Sequence, residues 1–128
     1  MLGKALDEHK PIFLQVKEWI EDQIINDEIQ EEDQIPSTTQ IVQFYKINHV
    51  TVSKGINLLL DANIVYKKRG VGMFVAKGAK EKLIRTRKDA FLNQYVLPLV
   101  QEAEKLGISG AEIEGFIKKV KEQKNHEI

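Results

Sequence analysis

Three consecutive cations precede two glycines in the stretch YKKRGVGMFV, which covers residues 66–75. The cations and glycines are Lys67, Lys68, Arg69, Gly70 and Gly72. Lysine and arginine bind phosphate groups, and glycine lets the backbone approach a rigid surface closely. The apolar pair Met73 and Phe74 follows at once, which predicts a hairpin with an anchored base and a charged tip. The chemistry expected at this tip is contact with a polyanion.

A second set of polar side chains falls at helical spacing after Asn48. If Val52, Ile56 and Leu59 face a core, the other side of this helix carries short polar and charged groups. That outer face comprises His49, Val50, Thr51, Ser53, Lys54 and Asn57. The first turn of such a helix can enter the major groove of DNA, where side chains read the edges of the bases.

The residue types on this outer face suit different parts of a DNA duplex. His49 and Ser53 can hydrogen-bond to bases, and Val50 can contact a thymine methyl group. Thr51 and Lys54 suit contacts with phosphates. The alternatives are an ordinary solvated helix face and a hairpin whose charges serve solubility.

The residue inventory gives little support for enzymatic or metal chemistry. The three histidines, His9, His49 and His126, are far apart in the sequence, and no His-x-x-x-His pair is present. Because the chain has no cysteine, a disulfide and a thiolate zinc site are both excluded. The GVGMF stretch lacks the third glycine of a dinucleotide-binding loop. The sequence therefore predicts a protein that is not an enzyme and that uses no cofactor and no metal.

Charge is segregated along the 128-residue chain, although the formal net charge is zero. Residues 1–40 hold 3 Lys and 10 acids, a charge of −7, whereas residues 41–90 hold 11 Lys or Arg and 3 acids, a charge of +8. A polyanion responds to the local field within about 8 Å, so the positive middle segment matters most. No apolar run of about 18 residues and no secretory leader is present. We expect a cytoplasmic protein that does not bind a membrane.

A first helix is expected to begin near Pro11 and to bury one apolar stripe. Ile12, Val16, Ile20 and Ile24 recur every four residues on this stripe. The pattern fades in NDEIQEEDQIP, which predicts an acidic loop.

Two further helix starts outline a helix-turn-helix. Ser37 and Gln40 can form a capping box, and the helix start at Ser37, Thr38 and Thr39 can also attract a phosphate. Asn48 can cap a third helix over residues 49–62 and is itself a candidate DNA-binding residue. The runs ANIVYKK and GMFVA then predict the hairpin, so the expected fold is a winged helix-turn-helix.

The C-terminal part is predicted to be helical throughout. A long helix is expected over residues 79–106, with a kink at Pro98 because proline removes a backbone hydrogen bond. Gly107 is placed to end this helix, and Ser109 with Glu112 can cap the last one.

The predicted architecture is mostly α with a small β-hairpin, in two regions. Residues 1–78 form the winged helix-turn-helix and residues 79–128 form two amphipathic helices that cannot enclose a core alone. Dimerisation with a second copy is the simplest way to cover them. The candidate dimerisation residues are Phe91, Tyr95, Leu99, Leu106, Ile113, Phe116, Ile117 and Val120.

A family resemblance covers residues 11–76, about half of the chain. PIFLQVKEWIEDQIINDEI and DQIPSTTQIVQFYKINHVTVSKGINLLLDANIVYKKRGVGMFV together resemble the DNA-binding domain of the GntR family of bacterial transcriptional regulators. The tail FLNQYVLPLVQEAEKLGISGAEIEGFI is similar to that of the YtrA-like subfamily, whose members carry two dimerising helices in place of a full effector-binding domain.

Several residues depart from the family pattern. Thr38 and Thr39 stand where the family has Glu-Arg, so a phosphate-contacting arginine of the family is absent. His49 and Ser53 each replace an arginine, which leaves the operator sequence open. Gly55 stands where alanine is common and indicates close helix packing.

The resemblance and the residue chemistry together predict a homodimeric regulator that represses transcription from a palindromic DNA operator. The recognition helix would enter the major groove, and the wing would lie at the backbone or in the minor groove. One alternative is a winged-helix module that binds another protein. The other is a regulator with a small-molecule effector site in the dimer seam.

Overall fold

A computed structural model describes residues 9–126 of the chain. Residues 1–8 and 127–128 of the predicted regions lie outside the described residues. Six α-helices and one β-hairpin follow in the order α1–α2–α3–β1–β2–α4–α5–α6. The bounds are α1 Ile12–Ile25, α2 Thr38–Tyr45, α3 His49–Asp61, β1 Val65–Lys68, β2 Gly72–Val75, α4 Ala79–Phe91, α5 Leu97–Leu106 and α6 Gly110–His126. The predicted fold class, mostly α with a small hairpin, is confirmed.

Helix α1 forms one wall of the core of the first unit. Pro11 is its N-cap residue, and Val16, Ile20 and Ile24 are each at most 1% exposed. Ile12 was predicted on the same stripe but is 42% exposed, so this expectation was wrong. The buried stripe begins one turn later, at Val16.

The helix-turn-helix forms as its capping residues predict. Ser37 Oγ accepts from the Gln40 N–H at 3.1 Å while Gln40 Oε1 accepts from the Ser37 N–H at 2.8 Å. Lys46 ends α2 in the left-handed conformation, with φ at 56°. Two residues later Asn48 begins α3, which therefore follows α2 after a short turn.

Helices α1 and α3 approach closely at Gly55. A Cβ atom at this position would lie 2.5 Å from the Phe13 carbonyl oxygen and 3.2 Å from Val16 Cβ. The first distance is far below a van der Waals contact, so a side chain at position 55 would force the helices apart. The prediction that this glycine permits close packing is confirmed.

The hairpin pairs Val65 with Val75 at its base and Lys68 with Gly72 near its tip. Val65 and Val75 are buried in the core shared with α1 and α3. The acidic segment before α2 was predicted to be a loop, but part of it lies along the free edge of β2. The Ile35 N–H donates to the Met73 carbonyl at 2.9 Å, and the Glu32 N–H donates to the Val75 carbonyl at 2.8 Å. These backbone bonds pair residues 32–35 with β2, which the acidic composition did not indicate.

Contacts divide the chain into two compact units, one ending at Thr86 and the other starting at Arg87. The predicted boundary after Gly78 coincides with the start of α4, but Ala79 and Leu83 are buried in the core of the first unit. The first turns of α4 therefore belong to that core.

The second unit contains a π-helical turn where a proline kink was predicted. Leu92–Val96 is π-helical, and the Leu97 N–H donates to the Leu92 carbonyl five residues earlier. This shift of the bonding frame places Pro98 in the first turn of α5, a position where proline is tolerated. The helical run over residues 79–106 therefore exists as three consecutive segments.

The last two helices are joined by a short turn within the second unit. Gly107 ends α5 with φ at 67°, as predicted. Ser109 and Glu112 form the predicted capping box, with both bonds at 3.1 Å.

Among the described residues, no helix is long and apolar enough to cross a membrane.

Candidate nucleic-acid interface

The outer face of α3 consists of the residues that are not buried in the core. Val52, Ile56 and Leu59 are at most 1% exposed, so the residues between them point away from the core. Exposed positions on this outer face are His49, Val50, Lys54 and Asn57, and half-buried ones are Thr51 and Ser53. Val50 is 73% exposed, which is unusual for a valine and leaves an apolar contact surface in the first turn.

The first turn of α3 is held by its cap. Asn48 Oδ1 accepts from the Val50 N–H at 2.8 Å, which satisfies one of the unpaired donors of the helix start. His49 and Val50 are therefore presented on an ordered turn rather than on a frayed end.

We expect Asn48→Ala to lower the free energy of unfolding by about 1 kcal/mol, because the cap bond is removed. Asn48→Asp retains the acceptor, so it should preserve stability while its charge repels DNA phosphates and weakens binding. Urea unfolding and DNA titration of both variants separate the two effects. Equal stability of Asn48→Ala and the parent chain would contradict the capping role.

Lys54 is oriented by an aromatic ring that the sequence did not single out. Its ammonium group lies 4.1 Å from the centroid of the Phe13 ring in α1. A cation over an aromatic face is attracted by the ring electrons, which restricts where the long side chain points. Lys54 was predicted as a phosphate contact, and the structure places its charge beside the first turn of α1. The only signal for this contact in the sequence was Gly55, the neighbour of Lys54, which indicated close helix packing.

The start of α2 carries both backbone donors and threonine side chains. Ser37 and Gln40 hydrogen-bond to each other, whereas Thr39 is exposed and Thr38 is half-buried. The first amides of a helix lack partners within it and attract anions. The predicted phosphate contact at this helix start would therefore use backbone N–H groups and the exposed Thr39 hydroxyl.

The wing presents its cations at the end of the hairpin. Lys67, Lys68 and Arg69 are exposed, and Lys68 Nζ lies 4.3 Å from the centroid of the Phe74 ring. The Val71 N–H donates to the Lys68 carbonyl at 3.0 Å, which closes a tight turn around Gly70. Gly70 is the third of the four residues in this turn. Its φ of 77° lies in the left-handed region that such a turn requires at this position.

The base of the wing carries a tyrosine bonded to an acid. Tyr66 Oη donates to Glu32 Oε2 at 2.6 Å. This hydrogen bond to a carboxylate raises the pKa of the Tyr66 phenol above its ordinary value, with desolvation and the Glu32 charge adding to it. Tyr66 is therefore a neutral hydrogen-bond donor at physiological pH, and the bond links β1 to the segment before α2. Neither partner was predicted as a functional residue.

Helix α3 contacts β1, so α3 and the wing belong to one compact unit. The prediction that their cations form a single DNA-binding surface stays a prediction. Among residues 9–126, no group of His, Asp or Glu side chains is arranged to hold a metal ion.

The second unit exposes much of its apolar surface. Phe116 is 53% exposed and Leu106 is 64% exposed, whereas Ala103 is buried between α5 and α6. The candidate dimerisation residues other than the half-buried Ile113 are all exposed in the single chain: Phe91, Tyr95, Leu99, Leu106, Phe116, Ile117 and Val120. An apolar cleft of about 240 Å³ lies between α5 and α6.

Comparison with known sequences gives a consistent set of relatives. The family model described as bacterial regulatory proteins, gntR family, matches residues 13–75. The HTH-type transcriptional repressor NagR of Bacillus subtilis is 29% identical over 75 residues, which cover 59% of this chain but only 31% of NagR. The HTH-type transcriptional regulator YhcF of the same bacterium is 26% identical over 104 residues, which cover 81% of this chain and 84% of YhcF.

Solved structures extend the likeness over most of the chain. A transcriptional regulator of the GntR family from Bacteroides thetaiotaomicron is 36% identical, with a TM-score of 0.67 over 88% of this chain and 98% of that one. The DNA-binding domain of AraR, crystallised with its operator ORX1, is 30% identical, with a TM-score of 0.51 over 59% of this chain and 93% of that one.

Proposed function

The chain belongs to the GntR family of bacterial regulatory proteins and is a DNA-binding transcriptional regulator, and we propose that it acts as a homodimeric repressor on a palindromic operator. Residues 1–78 would bind DNA in the bacterial cytoplasm, and residues 79–128 would hold two copies together. The two-helix tail supports membership of the YtrA-like subfamily, which is part of this proposal. The repressor role follows the named role of NagR, of which this chain spans about a third.

The observation that carries the proposal is the ordered, exposed first turn of α3 in the same compact unit as a glycine-tipped cationic hairpin. His49 and Val50 would read bases in the major groove, with Ser53 and Asn57 further along the helix. The wing would lie along the backbone or in the minor groove. The AraR domain was crystallised on operator DNA with the same fold at 30% identity, which supports this docking.

The exposed apolar surface of the second unit supports the homodimer. A contiguous set of exposed aromatic and aliphatic side chains usually marks an interaction surface, and two identical surfaces can cover each other around a two-fold axis. The cleft between α5 and α6, about 240 Å³, is smaller than the usual 300–1,000 Å³ of a ligand pocket. This small volume supports a surface covered by a second copy over an effector site between these two helices.

The operator can be found by selecting bound duplexes from a random pool. Inverted half-sites whose centres lie about 34 Å apart, one turn of DNA, are expected if two α3 helices enter successive major grooves. Direct repeats, single half-sites or no enrichment would contradict the proposal.

We expect Arg69→Ala to weaken binding to all DNA sequences alike, because an interaction between the wing and a phosphate carries no base information. The slope of log affinity against log salt should become shallower by about 0.9 for each phosphate that the variant no longer neutralises. Lys119→Ala, which removes an exposed cation from α6, is the control and should leave the slope unchanged. Identical slopes for both variants and the parent chain would show that the wing does not touch the backbone.

A further inference from the structure

Residues 32–35, for which the sequence predicted no strand, lie along one edge of the wing. Gln34 forms an isolated antiparallel bridge with Phe74, and the flanking bonds of Glu32 and Ile35 run to the same strand. The backbone pairing on this edge reaches as far as Met73. The tip of the hairpin, with Arg69 and its two glycines, lies beyond it.

The Gln34 side chain continues the contact toward the tip. Its Nε2 atom donates to the Val71 carbonyl at 3.0 Å. Val71 is the residue whose N–H closes the turn at Lys68. The side-chain amide therefore adds a hydrogen bond that joins the wing tip to the segment before α2.

Gly72 provides the space through which this side chain passes. A Cβ atom at position 72 would collide with Gln34 Nε2, and Cδ would lie 3.2 Å away. The backbone of Gly72 has φ at 145°, which other residues rarely adopt. Gly70, by contrast, has open space where a Cβ atom would stand and is required only by its turn. The two glycines of the wing therefore serve different purposes.

From these contacts we propose that Gln34 is a positioning residue for DNA binding, which holds the wing tip through Val71 and depends on the missing side chain of Gly72. The proposal rests on the DNA-binding function proposed above. Gln34 itself need not touch DNA. It reduces the freedom of the turn that carries Arg69, so the wing meets the phosphates already ordered.

The first test is independent of DNA. Gln34→Ala should speed amide hydrogen exchange at Val71 several-fold in the full chain, measured by NMR, because the turn loses the hydrogen bond from the Gln34 side chain. Gln30→Ala makes the same change earlier in the same segment and is the matched control. Exchange at Val71 that is equal in the two variants would overturn the proposal.

The second test uses the selected operator duplex. Gln34→Ala should lower affinity roughly 3- to 10-fold, the range expected for one hydrogen bond, and should also make the salt slope shallower. A purely structural role in stability would lower affinity, if at all, without changing the slope. Gln34→Ala with an unchanged slope and unchanged affinity would likewise overturn the proposal.

A double-mutant cycle tests the dependence on Gly72. Gly72→Ala should weaken binding, and combining it with Gln34→Ala should cost less than the sum of the single changes, because the collision is relieved. Strict additivity would mean that Gly72 acts through its backbone conformation alone, which would overturn the proposed dependence. If the parent chain binds no duplex, the proposed function fails, whereas the exchange experiment still decides whether Gln34 holds the tip.

Discussion

Phe116→Glu is expected to lower affinity for a two-half-site operator by roughly 10²- to 10⁴-fold, the usual gain from linking two binding modules. Phe116 is 53% exposed in the single chain and lines the cleft between α5 and α6. A carboxylate placed there would be buried without a partner if a second copy covered this surface, which is strongly unfavourable. Affinity for a single half-site should change little, because the DNA-binding unit is untouched.

Sedimentation and DNA titration should be run together on this variant. Lys118→Glu introduces the same side chain on the opposite face of α6, since two residues along a helix turn it by about 200°. This control should remain dimeric and should bind the operator like the parent chain. A monomeric Phe116→Glu chain that binds as tightly as the parent would refute the paired mode of binding.

Gly55→Ala is expected to lower the free energy of unfolding of the first unit by roughly 2–3 kcal/mol, the upper part of the range for an overpacked site. The added methyl group would meet the Phe13 carbonyl oxygen at 2.5 Å, and this atom belongs to the backbone of α1. A backbone atom cannot rotate away as a side chain does. The effect should appear although alanine favours a helix by about 1 kcal/mol over glycine.

Gly115→Ala is the matched control in α6, where nothing lies within 4 Å of the added atom. It should raise helix stability by up to about 1 kcal/mol. Trp19 is the only tryptophan of the chain and packs against the first core, so its fluorescence reports the unfolding of that unit. The midpoint of the Trp19 transition in urea should fall for Gly55→Ala and stay constant for Gly115→Ala. An unchanged midpoint for Gly55→Ala would mean that the helices can separate at little cost.

The features that the sequence predicted well depend on local chemistry. The capping boxes at Ser37 and Ser109 use a fixed spacing between two side chains, and Asn48 needs only the backbone that follows it. Gly107 ends α5 because a left-handed residue suits glycine. Each of these signals lies within a few residues of the structure it determines, so one sequence is enough to find it.

The features that the sequence missed depend on partners distant in the chain. The segment around Gln34 has no alternating pattern because its pairing uses backbone groups of β2, about 40 residues away. The π-helical hydrogen bonds at Leu92–Val96 precede Pro98. The presence of a proline alone does not specify whether the helix kinks or forms such a turn. The exposure of Ile12 likewise does not follow from its spacing on the apolar stripe. The roles assigned to the DNA-binding and dimerisation residues remain predictions that the experiments above test.

The capping box at the start of α2 limits the number of bases that the protein could recognise in an operator. Ser37 and Gln40 hydrogen-bond to each other, so this helix start can offer only backbone amides and its two threonines, and amides hold any nucleotide equally well. If DNA binds as proposed, discrimination would rest on Thr39 and a few side chains of α3, enough to recognise only a short motif in each half-site. If two copies bind together as proposed, the regulator should tolerate changes in the base pairs that flank the motif, and its sites in a genome would be distinguished chiefly by the correct spacing of two short motifs.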